Sequence, residues 1–74
     1  NPTTKMSFVI GHSSLVSLKV FDLLGGEVAV LVNEQKGTGS YTVEWNAEKM
    51  ASGIYFYRLN AGGFTAIKKM LLLR

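Results

Sequence analysis

The 74 residues predict an all-β antiparallel sandwich, and three observations carry that prediction. Apolar residues recur with a period of two in several short segments, clusters of Gly, Asn and Ser separate those segments, and no apolar stripe of helical period runs far enough to make a helix. Residues 52–59, Ser-Gly-Ile-Tyr-Phe-Tyr-Arg-Leu, suit the central strand, since aromatic and aliphatic residues follow one glycine on a surface that favours a pleated, buried setting.

Taken in order, Asn1 to Thr4 predict a linker entering the domain, because Pro2 fixes its own backbone and biases Asn1 toward extended conformations. The first strand covers residues 5–10, where Met6, Phe8 and Ile10 share one face. Gly11, His12, Ser13 and Ser14 interrupt it. His12, the only histidine, has no second histidine, cysteine or acid cluster nearby, and the serines lack the Gly-x-Ser-x-Gly frame of a nucleophile elbow, so all are turn residues. Residues 15–23 form a second strand with Val16, Leu18 and Val20 facing in. Gly25-Gly26 then allows a tight hairpin into a third strand over 28–32. The spacing of a phosphate-binding loop is absent there.

Residues 33–40 are polar and rich in breakers, which predicts a surface loop with room for a seventh strand. Tyr41, Val43 and Trp45 alternate in the next strand, with Trp45 facing the core. Residues 46–51 hold helix formers for barely one turn, too few to hold a helix, and predict a corner with Met50 dropping into the core. Gly53 then takes a backbone conformation closed to other residues. Tyr55 bonds its hydroxyl back to upstream backbone, the tyrosine-corner device of immunoglobulin-like sandwiches. Residues 60–63 turn the chain into a closing strand over 64–73, antiparallel to the Tyr55 strand. Its register is ambiguous, because Lys68 and Lys69 precede Met70, Leu71, Leu72 and Leu73. Two readings stay open for this apolar tail: a strand buried on both faces, or a recognition element. The sum is an immunoglobulin-like antiparallel β-sandwich of six to seven strands.

A chain this short buries only about 60% of its unfolded surface. With 47% hydrophobic residues and no cysteine, packing alone must hold it. No apolar run approaches the roughly 18 residues of a membrane-spanning helix. The opening Asn-Pro, with no signal segment, predicts a piece of a longer protein. Charge is uneven: residues 1–48 hold three lysines and all five acids, whereas residues 49–74 hold five basic residues and no acid. Such a tail would attract a polyanion, or it would protect an edge strand from pairing with neighbours. One histidine, no cysteine and five scattered acids assemble no catalytic or metal set, so neither an enzyme nor a cofactor is expected.

Several segments resemble the carboxyl-terminal sorting domain of cargo exported by the bacterial type IX secretion system. Asn1 to Phe8 is similar to that family's opening, Val16 to Gly25 to its central motif, and Gly39 to Trp45 to its next. Met50 to Leu59 and Lys69 to Arg74 carry the most specific likeness. Two positions depart from the pattern: Gly26 where a basic residue is common, and Arg74 in place of a terminal lysine. The resemblance implies an immunoglobulin-like domain, residues 5–74, at the end of a larger secreted protein. Its partners would be an outer-membrane translocon, a sortase that anchors cargo to surface lipopolysaccharide, and the cargo domain upstream in the same chain. Passage would run through the periplasm to secretion or the outer-membrane surface, with no nucleic acid and no transmembrane segment involved. By position, Gly53, Tyr55, Lys69, Met70, Leu71, Leu72, Leu73 and Arg74 match the segments tied to export. A structural accessory module of a secreted protein is the alternative, and flagellar hook-capping proteins share the central motif.

Overall fold

A computed structural model describes residues 3–73, all strand and turn. Six strands run β1 Thr3–Ile10, β2 Ser14–Asp22, β3 Glu27–Lys36, β4 Gly39–Asn46, β5 Gly53–Ala61 and β6 Phe64–Leu72. They form two antiparallel sheets, one of order β1-β4 and one of order β3-β2-β5-β6. The chain passes between the layers three times, after β1, β3 and β4, while β2-β3 and β5-β6 are hairpins within one layer. This is a sandwich, and its central strand is the expected one: β5 pairs with both β2 and β6.

Period-two alternation explains the core. Met6, Phe8 and Ile10 from β1, Val16, Leu18 and Val20 from β2, Trp45 from β4, Tyr55 from β5 and Leu72 from β6 all bury against one another. Trp45 meets the Tyr55 ring edge-on at 5.3 Å, and Phe8 stacks on Tyr41 at 5.6 Å. Offset and edge-on geometries match the quadrupoles of the rings.

Three expectations need correction. Residues 33–40 are not a loop, and no seventh strand lies there: β3 continues to Lys36 and only Gly37 and Thr38 separate it from β4. Asn33, Glu34 and Gln35 pair with Ser17, Val16 and Leu15 of β2. Their polar side chains are compatible with a strand because β3 is a sheet edge, where one side of the backbone faces solvent. Second, β1 begins at Thr3, two residues ahead of the predicted start, because Thr3 and Thr4 pair with Asn46 and Trp45. Third, the closing strand is not buried on both faces, since Leu71 is 65% and Leu73 74% exposed. As the outermost strand of its sheet, with no layer beyond it among the described residues, β6 buries only its inward positions.

The turn after β2 is made by Asp22 and Gly25. One Asp22 carboxylate oxygen accepts from the Leu24 and Gly26 amides at 3.0 and 2.8 Å, and Gly25 has φ 92°. A side-chain acceptor of this kind satisfies turn amides that the sheet leaves unpaired. The β3 strand also carries two register shifts against β2, which skip Leu31 and Val28 and leave Val30 facing outward opposite Lys19.

Candidate recognition surface at the terminal hairpin

Residues 46–53 build the base of this surface. Glu48 donates its amide to the Asn46 side chain at 3.0 Å and Met50 donates its own to the Ala47 carbonyl at 2.9 Å, so a single tight turn replaces a helix. Ala47 is fully buried and Met50 packs against the core. Gly53 follows at φ 152°, with open space where a side chain would begin, so its requirement is for the backbone angle alone.

Tyr55 locks the corner to the sheet. Its hydroxyl donates to the Ala51 carbonyl at 2.7 Å while its ring is buried against Trp45. The tyrosine corner expected from the sequence is therefore present, with an acceptor four residues upstream.

Antiparallel pairing with β6 brings the sequence-predicted residues together. Gly53 lies opposite Leu72, Ile54 opposite Leu71, Tyr55 opposite Met70 and Phe56 opposite Lys69. The pleat then sorts them. Tyr55, Met70 and Leu72 turn inward, and Tyr55 and Leu72 are buried, so they hold the strand in place. Lys69 and Leu71 turn outward and are exposed, as is Leu73 just beyond the strand. Arg74 lies outside the described residues. Among the described residues Lys68 and Lys69 make no ion pair, whereas Lys5, Lys19 and Lys36 each meet a glutamate.

His12 is exposed in the β1-β2 turn, and the described residues hold no group of three or more His, Cys, Asp or Glu placed for a metal. The described residues hold no helix long and apolar enough to cross a membrane.

The residues that sequence reasoning missed sit on the outward side of the larger sheet. Phe21 lies opposite Phe56, and Arg58 opposite both Lys19 and Ile67. Nothing along the chain links these positions; cross-strand register brings them together.

A family model described as the secretion system C-terminal sorting domain matches residues 1–73. The chain belongs to that family. Comparison with curated proteins and with solved structures returned no match. As a type IX sorting domain, it is an export signal for cargo in the same chain, directing it to the cell surface or to secretion, and the family is non-enzymatic. The two-layer antiparallel fold is the one the resemblance implied.

Proposed function

We propose that the sorting domain presents β6 and the residue after it to an outer-membrane translocon, as the address by which upstream cargo is exported from the periplasm. Lys68, Lys69, Leu71 and Leu73 supply the contact, and Arg74 extends it. Gly53, Tyr55, Met70 and Leu72 act from beneath by fixing where the strand runs. A sortase then releases the cargo or anchors it at the surface.

The observation that supports this most is the split at the end of β6: Met70 and Leu72 pack inward, while Leu71 on the outward face and Leu73 just beyond the strand are exposed near Lys68 and Lys69, which make no ion pair among the described residues. Exposed apolar side chains flanked by uncompensated charge on an accessible edge favour a partner, because the backbone edge supplies hydrogen-bond groups and the side chains supply specificity. The test is a secreted reporter fused ahead of residues 1–74 in a type IX secreting bacterium. Deleting residues 69–74 should leave the reporter in the periplasm. The double variant Lys69→Glu, Leu71→Asp changes only exposed positions and should do the same with the fold retained. Normal export of both would overturn the proposal.

A further inference from the structure

Among the described residues no layer covers the outward face of the larger sheet, yet that face is not polar. Antiparallel sheets with one solvated side usually alternate apolar-in and polar-out. Here Phe21, Phe56, Ile67 and Leu71 face outward from β2, β5 and β6, interleaved with Lys19, Arg58 and Lys69. Phe21, Phe56, Arg58 and Ile67 floor a shallow depression of about 310 Å³, walled on one side by the turn after β2. Ile67 is 63% exposed.

Arg58 is the unusual member. Its guanidinium carbon lies 4.9 Å from the centroid of the Phe21 ring, and its Nε is shielded from solvent without a hydrogen-bond partner. Among the described residues it makes no ion pair. Asp22, which borders the depression, makes no ion pair with Arg58, and one of its carboxylate oxygens accepts two amides of its own turn, while Glu27, opposite Phe21, meets Lys19 at 3.5 Å. No acidic residue follows Glu48 in the sequence. A cation held on an aromatic ring in apolar surroundings is therefore left without an anion, and charge complementarity calls for one from outside.

The number and kind of cations select the anion. Lys19 is committed to Glu27, leaving one planar guanidinium at the centre and Lys69 on the neighbouring strand. A phosphate-rich surface is met by several converging cations, whereas a lone arginine stacked among apolar groups suits a single carboxylate and is typical of the buried centre of a protein interface. The depression has room for one bulky side chain beside that carboxylate.

We propose that this depression is a docking site for a protein segment that carries a carboxylate next to a bulky apolar side chain, the carboxylate on Arg58 and the apolar group over Phe56 and Ile67. The site lies on the outward face of β2, β5 and the first half of β6 and does not use residues 70–74.

The test titrates the isotopically labelled 74-residue chain with acetyl-Leu-Glu-Phe-amide and with its glutamine counterpart, followed by amide chemical shifts. The glutamate peptide should shift Phe21, Phe56, Arg58 and Ile67 saturably and bind about tenfold more tightly than the glutamine peptide. Arg58→Gln should abolish that preference. Because packing on Phe21 puts Arg58→Gln at risk of unfolding, Ile67→Glu serves as a second variant: it places a carboxylate opposite Arg58 from an exposed position, and should block the peptide while amide dispersion stays native. Shifts that avoid these four residues, equal affinity for the two peptides, or undiminished binding to Ile67→Glu would overturn the proposal. So would Arg58-dependent binding to phosphatidylglycerol vesicles without any preference between the peptides, which would assign the face to a polyanionic surface.

Discussion

At the scale of single residues, Tyr55 ties the corner before β5 to the core. Its hydroxyl closes the corner on the Ala51 carbonyl, its ring packs edge-on against Trp45, and its backbone lies opposite Met70 in the β5-β6 pair. Removing the hydroxyl leaves a part-buried carbonyl without its donor, so Tyr55→Phe should cost about 1 kcal/mol in urea denaturation. An unchanged midpoint would show that water replaces the bond at no cost. Charge acts locally as well. Lys36 bonds Glu34 at 2.8 Å, and this hydrogen bond, with the ammonium's field, holds the Glu34 carboxyl below the ordinary glutamate range. A carboxyl lowered in the folded state contributes stability above its unfolded value and loses it as pH falls through the folded one, so the window lies below about pH 4.3. Carboxyl titration by NMR should show the depression in the native chain and its absence in Lys36→Met. The exposed pair adds little to stability at neutral pH.

At the scale of elements, β6 is the edge strand of the larger sheet. Its centre carries Lys68 and Lys69 on opposite faces, with Ile67 and Leu71 beside them. Two copies pairing antiparallel about this centre would set lysines against one another, which discourages self-assembly along a row of open backbone groups. The double variant Lys68→Val, Lys69→Thr should therefore self-associate, read as faster-sedimenting species at concentrations where the native chain sediments as a monomer. No change in sedimentation would mean that strand twist, rather than charge, protects the edge. The β3 edge is managed differently, with Asn33, Glu34, Gln35 and Lys36 along its second half and two register shifts in its first.

The whole molecule is a lopsided sandwich, two strands facing four, within 36 × 24 × 16 Å. A small layer over a large one concentrates the core under β1 and β4, which makes Trp45 a keystone: it is 4% exposed and touches the Tyr55 ring across the layers. Trp45→Ala should cost about 3–5 kcal/mol. A chain of this length has only about 4–11 kcal/mol in total, so urea denaturation should show a large share of it lost. A loss of less than a third of that cost would show the layers to be held elsewhere. The same lopsidedness leaves the outer side of the four-stranded sheet available to partners.

Much of this was legible in the sequence because it is local. Alternation in residues 6–10, 16–20 and 41–45 identified the inward faces, the run from Asn46 to Ala51 was too short for a helix, and a tyrosine two residues after Gly53 marked the corner. The edge half of β3 was hidden because residues 33–36 gain their strand conformation from pairing with β2, against their own polar and turn-forming preferences. Which leucines of the tail are covered was hidden for a related reason. Pairing sets which of Met70, Leu71 and Leu72 face the opposite layer, and only the position of β6 at the sheet's margin leaves Leu71 and Leu73 in solvent. Side-chain periodicity is written along the chain, so the sequence determined the strands and their buried faces; neighbours across strands are set by register between distant segments, so the tertiary structure alone decided which outward residues meet.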